Sequence, residues 1–87
     1  MKPPYQPIRC DLYDYLEIAC LSGYRLQVEL ASGQTFEAKA LTTRVQGGEE
    51  FLTLQNGEAT REYRLDAITA ITPLDSGARF GRVVLAP

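Results

Sequence analysis

At Tyr24 the spacing of apolar residues changes from one that suits a helix to strict alternation, and the helical spacing does not return. Before that point, Leu12, Tyr15, Leu16 and Ala19 fall on one arc of a helix turning about 100° per residue. Asp11, Asp14 and Glu17, at i, i+3 and i+6, fall on another. The spacing predicts a helix from about Cys10 or Asp11 to Leu21, with Asp11 as N-cap or first-turn carboxylate and Ser22-Gly23 as the stop. Ile18 and Leu21 lie nearer the acidic arc, so they either reach the body of the protein or belong to a contact surface. Upstream, three prolines within Met1–Ile8 exclude regular helix and suit an extended arm that Tyr5 and Ile8 could pin down.

After Tyr24 the period is two. Leu26, Val28 and Leu30 alternate with Arg25, Gln27 and Glu29, which reads as a strand with one buried face. Ser32-Gly33 turns the chain into a second strand on which Phe36, Ala38 and Ala40 alternate with Glu37 and Lys39. A polar loop through Gly47 and Gly48 leads to a third strand, Phe51 to Gln55. Asn56-Gly57 is the strongest turn signal in the chain, because both central positions of a type I′ turn need positive φ. The return strand runs from Ala59 to Leu65, and a short strand around Ala67 to Thr72 ends at Pro73. Ile68 and Ile71 differ in parity, which implies a bulge or tight turn near Asp66. A loop through Asp75, Ser76 and Gly77 then leads to a last strand, roughly Phe80 to Leu85.

One helix ahead of five to seven short antiparallel strands predicts a mainly β fold. The sheet should be strongly bent into a small barrel or sandwich, with the helix over an open end or edge. Eighty-seven residues fit one domain: an extended arm over 1–9, an acidic helix over 10–22 and a β-barrel over 24–86. No apolar run approaches the ~20 residues of a membrane span, and the N-terminus lacks the apolar centre of a secretory signal. The expected location is the cytoplasm.

A net charge of −2 argues against sequence-independent nucleic-acid binding as the main activity, while leaving room for a local basic patch. With no histidine, the usual general base and triad partner are absent, and a solvated helix face is a poor place to raise a carboxylate pKa, so no enzyme is expected. Cys10 and Cys20 sit ten helical steps apart, roughly 15 Å, too far for a disulfide. They read as free thiols, and neither a metal site nor a cofactor is expected.

Two surface constellations remain. The helix carries three carboxylates and no basic side chain, with Tyr13 beside them; it is either a solvated face or a binding surface for a cationic partner. Arg61, Arg64, Arg79 and Arg82 form either cross-strand charge pairs with Glu58, Glu62 and Asp66 or an RNA-binding stripe.

The segment YQPIRCDLYDYLEIAC resembles the opening of the Rho-binding antiterminator family (Rof-like), whose members begin YxPIxCxxYDxLExAC. Tyr5, Pro7, Ile8, Cys10, Tyr13, Asp14, Leu16, Glu17, Ala19 and Cys20 fill those places. Looser likeness continues through Leu26–Ala40 and Glu62–Thr69. The resemblance implies an Sm-like (SH3-like) β-barrel preceded by a helix. It also implies an inhibitor of the transcription termination factor Rho, acting on the N-terminal RNA-binding region of the Rho hexamer so that RNA loads poorly. The contacts it implies are acidic, Asp14 and Glu17 by pattern and Asp11 by position, with Tyr13 as either a desolvated anchor or a prop for the helix. Many relatives carry a second acidic residue right after Asp11; Leu12 stands there in this chain. Neither membrane, direct nucleic-acid nor small-molecule binding follows from the resemblance. The competing reading is an Sm-like RNA-binding module that uses the surface arginines.

Overall fold

The computed structural model describes residues 4, 5 and 7–85. Pro4, Tyr5 and Pro7 to Arg9 belong to no regular element. Met1 to Pro3 and Gln6 of the expected arm, and Ala86 at the end of the expected barrel, lie outside the described residues. One α-helix, α1 (Cys10–Ser22), is followed by β1 (Arg25–Leu30), β2 (Thr35–Gln46), β3 (Glu49–Asn56), β4 (Ala59–Arg64), a 3₁₀ turn (Leu65–Ala67), β5 (Ile68–Pro73) and β6 (Val83–Val84). The strands form one six-stranded sheet in the order β4-β3-β2-β1-β5-β6, antiparallel at every pairing. The mainly β fold with a helix ahead of the strands is therefore what the chain adopts.

The helix begins at Arg9, whose backbone is extended and whose carbonyl accepts the Leu12 and Tyr13 N–H groups at 3.0 and 3.3 Å. No side chain caps this end, so Asp11 is a first-turn carboxylate and not the N-cap. The other end closes in a Schellman pattern: Gly23 N–H donates to the Cys20 carbonyl and Tyr24 N–H to the Ala19 carbonyl, with Gly23 at φ 63°. A Cβ on Gly23 would also come within 3.2 Å of the Lys39 side chain, so the stop residue is fixed by conformation and by space. That lysine places a cation at the negative end of the helix, whose own last turn has none.

Leu16 and Ala19 are the buried face of α1, and Leu12, Tyr13, Tyr15, Ile18 and Cys20 pack partly against the same core. Ile18 thus reaches the body of the protein, whereas Leu21 does not, being 89% exposed. The sheet supplies Leu26 and Val28 from β1, Ala38 and Ala40 from β2, and Leu52 and Leu54 from β3. Tyr24, Leu65, Ile68, Ile71, Val83 and Leu85 complete the cluster. α1 packs mainly on β2, where the alanines allow close approach.

Three strand boundaries depart from the sequence expectation. β2 and β3 extend well beyond the expected polar loop: Thr42 to Gln46 pair with Glu49 to Thr53, and only Gly47-Gly48, at φ 59° and 77°, make the turn. The register slips between Ala40 and Thr42, leaving Leu41 as a bulge that bends the strand where it leaves the core. β4 ends at Arg64, and the 3₁₀ turn that follows turns Leu65 inward and absorbs the parity change near Asp66. β6 is only Val83–Val84, because Phe80 is used elsewhere. Its ring lies 5.1 Å from Tyr15 and 6.0 Å from Tyr24, tying the last segment to the helix.

Leu16→Ala should cost about 2–5 kcal/mol in urea-unfolding experiments, since it empties the helix's contact with the core, whereas Leu21→Ala should stay within about 0.5 kcal/mol. Equal losses would mean that the helix is not docked through Leu16.

Candidate functional site

Docking through Leu16 and Ala19 leaves Asp11, Asp14 and Glu17 exposed along one side of α1. Their surroundings differ. Arg9 sits just ahead of the helix and clamps Asp11 with both guanidinium edges, Nε to Oδ1 at 3.1 Å and Nη2 to Oδ2 at 2.8 Å. Asp14 and Glu17 have no ion pair or side-chain hydrogen bond among the described residues. Two like charges one turn apart repel weakly, so the helix carries an uncompensated negative pair. Nearby, the Cys20 thiol is pushed up to about 11, first by burial and then by the charge of Glu17. The cysteines are free, Cys10 exposed and Cys20 half-buried.

Leu12 packs partly against the core. An acidic residue there would be drawn toward apolar surroundings and be costly to keep charged. Tyr13 is half-buried against the core beside the N-terminal arm. Tyr5 anchors that arm: its hydroxyl donates to Glu50 Oε1 at 2.8 Å, and the Arg64 guanidinium lies 5.7 Å from its ring centre. Arg64 is itself held bidentately by Asp66, at 2.6 and 2.9 Å, with Glu49 at 3.8 Å. Burial raises the Tyr5 pKa well above the usual phenol range, and the Glu50 hydrogen bond and the charges of Glu50, Asp66 and Tyr13 raise it further. The arm, the β3–β4 edge and the start of α1 are thus joined around Tyr5. Sequence reading proposed Tyr5 as a pin for the arm but had no means of finding Glu50, 45 residues away, or the Arg9–Asp11 clamp.

The four arginines of the alternative reading do not gather into a stripe. Arg61 and Arg64 lie on β4 and Arg79 and Arg82 in the segment entering β6, the two ends of the strand order. Arg82 is paired bidentately with Glu29, at 2.8 and 3.0 Å, and holds that carboxyl below its usual range, as Arg64 is paired with Asp66. Glu62, expected opposite these arginines, is taken instead by Arg44. Among the described residues, no three His, Cys, Asp or Glu side chains gather in a way that could hold a metal ion, and no helix is long and apolar enough to cross a membrane.

A family model described as modulator of Rho-dependent transcription termination (ROF) matches residues 7–85 of this chain. Protein rof of Escherichia coli (strain K12) is 40% identical over 77 residues, covering 88% of this chain and 92% of that protein. Protein rof of Shigella flexneri matches with the same identity and coverage. Among solved structures, magnesium-bound YaeO from Vibrio cholerae O395 shares the fold, with a TM-score of 0.75 and 24% identity over 84% of this chain and 96% of that one.

Two measurements check this site. Because the folded chain holds the Tyr5 proton more tightly than the unfolded chain does, stability from this group is complete below about pH 10 and is lost as pH rises further. Tyr5→Phe should therefore lower stability by about 0.5–1.5 kcal/mol at pH 7 and flatten the alkaline loss seen in denaturant melts; an unchanged alkaline limb would place the arm elsewhere. In mass-resolved alkylation at pH 8, Cys10 should react well before Cys20, whose buried thiol is almost wholly protonated there. Equal rates would contradict the packing of this helix face.

Proposed function

The chain belongs to the ROF family of modulators of Rho-dependent transcription termination and is no enzyme, and from that premise we propose that it inhibits Rho by presenting α1 to the RNA-binding surface of Rho's N-terminal region. In this reading the chain is a cytoplasmic antiterminator whose partner is the Rho hexamer. The observation that carries it is the pair Asp14 and Glu17: exposed, held on a docked helix, and without a neutralising partner among the described residues.

A surface built to receive RNA phosphates is cationic, and carboxylates at fixed spacing on a rigid helix can occupy it in place of phosphates. Complementary charge acts mainly on encounter, raising the association rate by a factor of roughly 10 to 1000, while each exposed pair adds only about 0–1 kcal/mol of affinity. Longer residence needs a desolvated side chain near the charges. Tyr13 stands beside them and is half-buried already, so little side-chain entropy would be lost in using its remaining surface. Asp11 contributes less in this scheme, because the Arg9 clamp must first be released or must turn toward the partner as well.

The test is association kinetics with purified Rho, with RNA competition as a second readout. Asp14→Lys plus Glu17→Lys should slow association at least about tenfold and abolish competition with RNA, with the melting curve nearly unchanged. Asp11→Lys should have the smaller effect, and added salt should slow the wild type far more than the double variant. Unchanged binding by the double variant would remove α1 from the contact surface.

A further inference from the structure

The inward face of the sheet is not filled to its end. Between the β1–β2 turn and the β3–β4 turn lies a half-open groove of about 400 Å³, walled by Leu30, Phe36 and Tyr63 and rimmed by Gln34, Asn56 and Arg61. Arg61 has an unusual place in the register. It pairs with Leu54, a core residue, and directly paired residues share a face, so this arginine stands on the apolar side of the sheet. Its side chain has no ion pair among the described residues, whereas Arg9, Arg25, Arg44, Arg64 and Arg82 each meet a carboxylate. Beside it, the Phe36 and Tyr63 rings lie 5.3 Å apart at 34°, in contact with each other and half-buried. They form one continuous aromatic wall, not the two jaws of a clamp.

We propose that this groove binds a nucleotide, with the base laid against the Phe36–Tyr63 wall and the phosphate on Arg61. Each part of the ligand follows from a part of the site. A ring system gains from an aromatic wall that an aliphatic ligand would not need. A planar guanidinium with no carboxylate partner selects an anion and suits phosphate oxygens bidentately. The amides of Gln34 and Asn56 offer both donors and acceptors at the rim, as the edge of a base requires. The volume lies within the range of small-ligand sites. A free nucleotide and one unpaired nucleotide of an RNA strand share this chemistry. The site uses none of the residues of α1, so it is distinct from the surface proposed above to meet Rho.

Amide chemical-shift titration of the full chain tests it, using the four ribonucleoside monophosphates, the matching nucleosides, inorganic phosphate, and a short single-stranded RNA. A monophosphate or the RNA should shift the amides of Phe36, Asn56, Arg61 and Tyr63 saturably, and the nucleoside and phosphate alone should bind at least about tenfold more weakly. Tighter binding of the RNA than of any monophosphate would identify the source as a strand; the reverse order would identify a free nucleotide. Arg61→Gln, a change at an exposed position that keeps the strand, should weaken binding about tenfold or more. Tyr63→Leu should do the same through the wall, while Asp14→Lys plus Glu17→Lys should leave it intact. No shifts in the groove from either ligand up to about 10 mM, or shifts that Arg61→Gln leaves unchanged, would overturn the proposal.

Discussion

The rotational setting of α1 is the constraint on which the acidic face depends, and it is held by two side chains. Leu16 and Ala19 are fully buried, while Tyr15, Ile18 and Cys20 beside them are only partly so and Glu17 is exposed. At about 100° per residue, turning the helix by a single position would press Glu17 or Ile18 toward the alanines of β2. Burying an unpaired carboxylate is far costlier than the roughly 1.5–3 kcal/mol that a buried leucine contributes, so the rotation that brings Glu17 inward is excluded. A thirteen-residue helix is marginal alone in water. Here it is held at its end by Gly23 and Lys39, at its middle by the Tyr15–Phe80 contact, and at its start by the Arg9–Asp11 clamp.

Net charge conceals what is distinctive about the surface. A total of −2 is unremarkable, and most of the acidic residues of the sheet are occupied: Glu29 by Arg82, Glu37 by Arg25, Glu62 by Arg44 and Asp66 by Arg64. The exposed pairs among these add little to stability, and Arg64–Asp66 is part-buried; all four cancel local fields. Asp14 and Glu17 have no such partner among the described residues and stay an uncompensated pair on α1.

How much of this could be read beforehand depended on whether the signal was local. The change of apolar period at Tyr24, the Ser22-Gly23 stop and the placement of three carboxylates on one helix side are short-range properties, and all were legible. The hairpin near Asn56-Gly57 was legible in place but not in type: Asn56 ends β3 paired with Ala59, Gly57 and Glu58 make the turn, and only Gly57 has positive φ, at 62°, so it is not the type I′ turn with Asn56 and Gly57 at its centre. The extension of β2 and β3 was not. Thr42 to Gln46 are mostly exposed, so no alternation of apolar and polar residues marks them as a strand, and Gly47-Gly48 read as a loop. The shortened β6 was hidden for the opposite reason: Phe80 to Leu85 is apolar enough for a strand, but Phe80 packs against Tyr15 and Tyr24 instead of continuing the ladder. The Tyr5–Glu50 bond joins residues 45 positions apart and leaves no trace in local pattern.

The long β2–β3 hairpin, which adds little to the core, makes sense once that bond is considered. Past the Leu41 bulge its strands leave the buried cluster, and Val45 near its tip is 64% exposed. Its first β3 residues, Glu49 and Glu50, are the ones that meet Arg64 and Tyr5. Without the extension there would be no carboxylate for the Tyr5 hydroxyl, and the arm leading into α1 would lose its anchor on the sheet. An exposed acidic segment on a loose arm would have to be ordered at each encounter, which costs affinity; one already fixed at both ends does not. The polar hairpin is thus better understood as a bracket for the helix than as part of the core.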